Sequence, residues 1–168
     1  MTAEEAVAAG SRRHEVRWLS EAEQASWRAV LRGTRLLERA LDDALREVGL
    51  QLSEYEILSM LSEAPGARLR MSELAVFVVQ SRSRLTHTAK RLEERGWVTR
   101  EQCAEDRRGV RLRLTDAGLA AVTDFARVHV RSVRDDFVDI LSPEQFRAMG
   151  QAMARVSAHL DGRGTTDR

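Results

Sequence analysis

The hydrophobic period of the chain changes at Gly96, and this change restricts the possible folds more than any other feature. Before Gly96, apolar residues recur every three or four positions, which is typical of amphipathic helices. After it, residues 97–100 resemble a strand, and Val110, Leu112 and Leu114 alternate with arginines, which is the period of a half-exposed strand. The sequence therefore predicts helices that lead directly into a small β-hairpin.

Two of the helices before Gly96 are short and closely spaced. Ser72 is placed to cap the first, and Ser81, after a three-residue corner, to cap the second, which runs to Arg95 and ends at Gly96. Two short helices joined by a tight corner are typical of a helix-turn-helix. With strands on both sides of a polar loop at Cys103–Gly109, the segment is predicted to be a winged helix-turn-helix.

Longer helices are predicted on either side of this segment. An apolar stripe begins after Ser20 and ends at Gly49, and Ser53 with Glu56 has the form of a capping box for the next helix. Downstream, caps are predicted at Thr115 and Ser142 for two further helices, the second with Pro143 in its first turn and Gln145 completing the box.

The fold class is thus mainly α with a small β-hairpin wing, a winged helix-turn-helix lobe and a helical dimerisation layer. The outer helices carry apolar stripes that a small lobe cannot cover, so burial against a second copy is expected. The predicted divisions are a mobile tail at 1–17, dimerisation helices at 18–50 and 116–160, the DNA-binding lobe at 51–115 and a mobile tail at 161–168.

The second short helix has a polar face suited to DNA. At 100° per residue, Leu85, Ala89 and Leu92 share the face that packs inward. The opposite face and the first turn supply cations, hydroxyls and an imidazole, which match the acceptor-rich edges of a major groove. The predicted contacts are Ser81, Arg82, Ser83, Arg84, Thr86, His87, Lys90 and Arg91.

The hairpin is predicted to add a second DNA contact. Arg107 and Arg108, preceded by Asp106 and with Arg111 behind them, form a cationic tip able to enter a minor groove or contact a phosphate. Between Arg70 and Arg113 the chain has eleven basic and six acidic residues, although the net charge of the whole protein is only +1. One basic surface on an otherwise balanced chain favours a polyanionic partner.

Several runs resemble the MarR family of regulators. They are the segments MSELA at 71–75, SRSRLT at 81–86, LEERGWV at 92–98, DRRG at 106–109 and LTDAG at 114–118. The resemblance, which extends from about Trp18 to Leu160, implies a homodimer whose N- and C-terminal helices interlock. It also implies a regulator, expected to be a repressor on a palindromic double-stranded DNA operator, and ligand pockets between the helical layer and the winged lobes.

Members of this family often release DNA when a small aromatic or phenolic effector binds. Candidates to line such a pocket are Trp18, Trp27, Tyr55 and His129, although aromatic residues on helix stripes more often belong to the core. Cys103 lies between Glu101 and Glu105, which disfavour a thiolate, so a structural or incidental role is favoured over oxidant sensing.

Other classes of protein fit the sequence less well. Asp135, Asp136 and Asp139 are interpreted as a solvated surface, and no nucleophile motif, phosphate loop or metal-ligand spacing suggests an enzyme, a metal site or a cofactor. No segment resembles a membrane span or a signal peptide, so a cytoplasmic location is expected. The alternatives left open are a winged-helix adaptor for proteins and a nonspecific DNA-binding protein without effector response.

Overall fold

The computed structural model describes residues 16–78, 81–103 and 106–164, but not the side chains of 103–108, 163 and 164. The described residues fall into two compact units, one ending at Arg35 and the other beginning at Leu36. The elements, in chain order, are α1 (Glu21–Glu47), α2 (Leu52–Glu63), a 3-10 turn (Pro65–Ala67), β1 (Arg68–Arg70), α3 (Met71–Phe77), α4 (Arg82–Glu94), β2 (Val98–Cys103), β3 (Asp106–Leu114), α5 (Asp116–Val133), a π-helical turn (Arg134–Val138) and α6 (Pro143–Gly164).

Hydroxyl groups cap the helices where the sequence predicted them for α4, α5 and α6. The accepting oxygens and their backbone N–H donors are Ser81 Oγ with Arg84 at 3.3 Å, Thr115 Oγ1 with Gly118 at 3.0 Å and Ser142 Oγ with Gln145 at 3.3 Å. Glycines with positive φ end α1 and α4, Gly49 at 83° and Gly96 at 72°. Only glycine adopts such backbone angles without steric cost, so both helix ends are fixed locally.

The predicted capping box at Ser53 and Glu56 is wrong. The helix begins at Leu52, and the carboxylate that closes its first turn belongs to Glu54, which accepts the backbone N–H of Gln51 at 2.9 Å. The capping carboxylate is therefore two residues earlier than predicted.

Three other helix boundaries also differ from the prediction. α3 begins at Met71 rather than after Ser72, with the Glu73 carboxylate accepting the Arg70 N–H at 3.0 Å. The helix predicted through Ile140 changes at Arg134–Val138 into a single π-helical turn. The last helix continues to Gly164, whereas a tail was expected from residue 161.

The sheet has the strand order β1-β3-β2 and is antiparallel throughout. β1, which the sequence analysis missed, pairs Leu69 with Leu112 and connects α3 to the base of the hairpin. The predicted loop at Cys103–Gly109 is wrong, since β2 extends to Cys103 and pairs there with Asp106 at the start of β3. The two strands of the wing are thus longer than expected.

The buried core lies in the second unit and includes the inward face of α4. Leu85, Ala89 and Leu92 are buried there as the periodicity predicted. The other core side chains come from the neighbouring helices and strands: Leu45, Leu50, Tyr55, Ile57, Leu58, Leu61, Leu74, Val98, Leu112, Leu114 and Val122. The orientation of α4 is therefore fixed by packing on one side, which leaves its other side exposed.

Gly118 allows α5 to approach the end of α4 closely. A Cβ atom at this position would overlap the carbonyl oxygen of Trp97 and lie 2.8 Å from the Leu114 side chain. The same Trp97 carbonyl accepts the Thr115 N–H at 3.0 Å. The absence of a side chain at Gly118 therefore sets how closely α5 packs against the winged segment.

Candidate functional site

The polar arc of α4, defined here as the predicted contacts other than Arg91, is exposed along its length. Its members are Ser81, Arg82, Ser83, Arg84, Thr86, His87 and Lys90. The first turn of α4 contains no acidic residue, and Ser81 Oγ accepts one of its N–H groups, that of Arg84. Because a helix N-terminus is electropositive, this end of α4 favours an anionic partner.

A groove separates the first half of α4 from the hairpin. It is lined by Arg82 and Thr86 of α4, by Arg70 before α3, and by Arg100 and Gly109 of the hairpin. The sequence analysis did not select Arg70 or Arg100. Both are arginines within the basic segment, which was the available signal. Their position along the groove follows from strand pairing, of β1 with β3 for Arg70 and of β2 with β3 for Arg100.

Arg100 connects the hairpin to α4. Its guanidinium donates to the Thr86 carbonyl at 3.2 Å and lies 3.4 Å from the Glu93 carboxylate. These contacts join β2 to the middle and the last turn of α4. The hairpin is thus held in a defined position beside the polar arc of α4.

Arg91 differs from the other predicted contacts. Its Nε donates to Oε1 of Glu54 at 3.1 Å, and its Nη2 donates to Oε1 of Gln51 at 2.8 Å. Glu54 is only 3% exposed. The guanidinium is therefore engaged at the start of α2, while the Arg91 side chain, 41% exposed, lines a groove with Ser83, Arg84 and His87. Its contact with DNA stays a prediction.

The predicted wing contacts are only partly within the described structure. Asp106, Arg107 and Arg108 belong to the backbone of β3, but their side chains lie outside the described part, as does that of Cys103. Arg111 pairs in register with Arg70 of β1 and with Glu101 of β2. The DNA contacts assigned to these four residues, and the incidental role assigned to Cys103, stay predictions.

Two of the four candidate pocket residues are in contact. The rings of Tyr55 on α2 and His129 on α5 lie 4.4 Å apart, centroid to centroid. Burial lowers the pKa of His129 below its ordinary value. Among the described residues, Nδ1 of His129 is the buried side-chain nitrogen or oxygen atom that lacks a hydrogen-bond partner. The neutral imidazole is therefore favoured at this position.

The two tryptophans belong to the first unit. Trp18 is 82% exposed and Trp27 53% exposed. Tyr55 is buried and thus belongs to the core, as aromatic residues on helix stripes usually do. Neither tryptophan belongs to the core of the single chain. Large exposed indoles of this kind are usually covered by a partner or a ligand.

The described residues include neither a metal-binding cluster nor a membrane-spanning helix. Within 16–78, 81–103 and 106–164, no group of three or more His, Cys, Asp and Glu side chains could bind a metal ion. In the same ranges, every helix is too short or too polar to cross a bilayer. Of the three aspartates interpreted as a solvated surface, Asp139 pairs with Arg134 at 2.8 Å and Asp136 accepts the Ser132 hydroxyl at 3.1 Å.

Comparison with known proteins gives consistent results. A sequence model described as the MarR family matches residues 48–109. The HTH-type transcriptional regulator PecS of Dickeya dadantii (strain 3937) is 35% identical over 130 residues, which are 74% of this chain and 75% of PecS.

Two crystal structures from Streptomyces coelicolor are also similar. AbsC, a MarR family transcriptional regulator, is 44% identical with a TM-score of 0.81, over 88% of this chain and 99% of AbsC. Sco3205, a MarR family transcriptional regulator solved in complex with DNA, is 43% identical with a TM-score of 0.82, over 87% of this chain and 92% of Sco3205.

Proposed function

Because this chain belongs to the MarR family of transcriptional regulators, we propose that it is a repressor that binds a palindromic operator as a homodimer. The observation that carries the proposal is the exposed polar arc of α4, which presents cations, hydroxyls and an imidazole beside a groove with three arginines. Major-groove base edges and flanking phosphates match this set of donors. The similarity to Sco3205, solved in complex with DNA, supports the same partner.

The homodimer is supported by the exposed apolar side chains of the outer helices. α6 has no buried residue among those described, although it carries Phe146, Met153, Val156 and Leu160 on one side. A soluble chain rarely leaves such a row in water, and covering it with a second copy is the symmetric solution. Two copies then place two α4 helices in successive major grooves of a palindrome.

Selection of binding sites from random duplexes with the full chain tests this function. We expect a palindromic site and, for Arg84→Ala, a weaker preference at one position of each half-site, by about 1–3 kcal/mol. Arg127→Ala removes the same charge from an exposed position on α5 and serves as the control. Binding without any sequence preference would favour the nonspecific alternative, and no DNA binding would favour the protein-binding adaptor.

The wing arginine makes a different kind of contact in this proposal. Arg108→Ala should weaken binding to all duplexes to a similar extent and reduce the dependence of affinity on salt, because a phosphate contact releases counterions. Titration of operator and unrelated duplexes at several salt concentrations measures both effects. A loss confined to one base position would instead assign Arg108 to base recognition.

We also propose that a small aromatic effector releases the DNA, and this proposal is supported by one pair of residues. The rings of Tyr55 and His129 are in contact at a tilt of 36°, and the imidazole has an unpaired nitrogen that an aromatic acid or phenol could engage. We expect such compounds to release the operator from the parent and to be less effective on His129→Asn. Titrating a panel of aromatic acids against the protein–operator complex tests this, and uniform failure to release DNA would overturn the effector role.

A further inference from the structure

We infer that Glu54, a residue away from the DNA-binding surface, sets the position of α4 by binding Arg91, and so determines how well the protein distinguishes its operator from other DNA. The inference rests on the proposed function, since it assigns a positioning residue to the same DNA-binding helix. It replaces direct DNA contact as the role of Arg91.

The contact between α2 and α4 is built from two acceptors in one helical turn. Glu54 Oε1 accepts Arg91 Nε at 3.1 Å, and Gln51 Oε1 accepts Arg91 Nη2 at 2.8 Å. The second oxygen of Glu54 accepts the Gln51 N–H at 2.9 Å, so the two acceptors are held relative to each other. A planar guanidinium bound at two nitrogens is fixed in orientation as well as in distance.

The same turn of α2 is held from its other side by α1. Asp42 Oδ1 accepts the Leu52 N–H at 2.9 Å, and Asp42 Oδ2 accepts Arg46 Nε at 2.6 Å. Partial burial acts to raise the pKa of Asp42, but the hydrogen bonds from Leu52 and Arg46 outweigh it and the pKa is lowered. The carboxylate is therefore charged at neutral pH and connects the C-terminal part of α1 to α2.

A second connection lies at the end of α4. Arg95 Nη2 donates to the carbonyl of Gly49, at the end of α1, at 2.9 Å, and its guanidinium lies 4.7 Å from the Trp97 ring. Arg91 and Arg95 are one helical turn apart. α4 is thus attached by its last two turns to the junction of α1 and α2, and Arg84 and His87 of the polar arc line a groove beside the same attachment.

The burial of Glu54 makes its pairing with Arg91 necessary. A carboxylate that is 3% exposed cannot be fully hydrated, so it requires charged or N–H donors where it lies. If the pair is broken, Arg91 gains the freedom to turn toward solvent, and the last two turns of α4 lose a fixed contact. Base contacts need accurate placement, whereas phosphate contacts tolerate small shifts, so specificity should be lost before general affinity.

The sign of the charge change makes Glu54→Gln an informative variant. Removing a negative charge from a DNA-binding lobe should strengthen binding to all DNA if only long-range electrostatics matter. We expect the opposite for the operator, about tenfold weaker binding, with affinity for an unrelated duplex unchanged or slightly higher. Glu63→Gln makes the same change at an exposed position of the same helix and should not weaken operator binding.

A double-mutant cycle identifies the role of Arg91. If Arg91 acts through Glu54, Arg91→Met should weaken operator binding in the parent but have little effect in the Glu54→Gln background. If Arg91 contacts DNA directly, its replacement should cost the same in both backgrounds, and this result would overturn the inference. Gln51→Ala, which removes the other acceptor without a charge change, should give a smaller loss of about threefold.

Circular dichroism first gives the unfolding temperature of each variant. Titration well below that temperature then measures the ratio of operator affinity to affinity for unrelated DNA. A variant that only loses stability would keep the parental ratio, and so would contradict the inference. If the parent selects an operator that Glu54→Gln and Gln51→Ala bind equally well, the inference fails and the proposed function stands. If the parent shows no sequence preference, the proposed function fails as well.

Discussion

The helices α4 and α6 have similar amphipathic sequence patterns but differ in how far their apolar sides are buried. Both are amphipathic, but four of the thirteen residues of α4 are buried, whereas the 22-residue α6 has none among those described. The apolar side of α4 packs on α2, α3 and the sheet, which leaves its polar side exposed. The apolar side of α6 has no such cover in the single chain, so its pattern describes a contact that one copy alone does not complete.

The positions of the two helices therefore depend on different contacts. The position of α4 is determined within one chain, by core contacts and by the contacts of Arg91, Arg95 and Arg100. The position of α6 is determined, in our proposal, by a second copy. The distance between two α4 helices in a dimer then depends on helices that do not themselves contact DNA.

The largest expected effect on operator binding comes from a charge in the apolar row of α6. Val156→Glu should weaken dimerisation by about 2 kcal/mol or more, because the proposed interface would bury an unpaired carboxylate. Operator binding should fall on the order of 100-fold, since a monomer occupies one half-site. Light scattering coupled to gel filtration and operator titration measure the two effects.

Gln151→Glu is the matched control, because it adds the same charge to an exposed position of α6 outside this row. It should leave the oligomeric state unchanged. If Val156→Glu and Gln151→Glu behave alike, α6 does not supply the interface and the contrast between the two helices disappears.

The same glycine-to-alanine change should have opposite effects at Gly118, in the packed segment of α5, and at Gly33, in the exposed part of α1. Gly118→Ala is expected to destabilise the protein by about 3 kcal/mol, because the new methyl group would overlap the Trp97 carbonyl in a packed segment. Gly33→Ala, in α1, has open space around the new atom and should stabilise the protein by about 1 kcal/mol through helix propensity.

Chemical denaturation of both variants measures these changes. A loss of stability for Gly33→Ala, which disappears on dilution to monomer, would place Gly33 at a close contact with the second copy. No loss for Gly118→Ala would mean that α5 can shift away from the winged segment at little cost.

The smallest expected effect is a pH dependence at the contact of α2 with α5. Burial lowers the pKa of His129 in the folded state, so the unfolded chain binds a proton first as the pH falls through the model-compound value of 6.5. The stability that neutral His129 supports is therefore present above this pH and decreases below it, down to the folded pKa. His129→Phe keeps a ring against Tyr55 and removes the titration.

Melting temperatures measured between about pH 7.5 and 5.5 test this, across the ordinary histidine range. The curve for the parent should fall more steeply than that for His129→Phe. Parallel curves would show that His129 contributes nothing to the acid sensitivity of this contact.

Local signals in the sequence were sufficient for many of the helix boundaries and for the inward face of α4. The hydroxyl caps at Ser81, Thr115 and Ser142 and the glycines at 49 and 96 act within one turn, so a few neighbouring residues determine them. The same holds for exposure of the polar arc of α4, because helical periodicity alone separates it from Leu85 and Leu92.

Features that depend on distant residues were not predictable in this way. β1 has only three residues, and its strand structure comes from pairing with β3 more than 40 positions later. The start of α2 shifts to Leu52 because Asp42 of α1 binds its N–H group. The partner of Arg91 lies 37 positions away in Glu54, and no local pattern distinguishes such an arginine from one that contacts DNA.

The short strand β1 also has a consequence for how the hairpin can vary. It supports β3 only from Arg111 to Arg113, so the base of the hairpin is paired on both sides and its outer part on one. Residues added or removed near Asp106 would change only the ladder between β2 and β3, whereas the same change at the base would misalign three strands and α3. We expect natural relatives of this protein to differ in hairpin length at the outer end, which would adjust reach along DNA without remodelling the lobe.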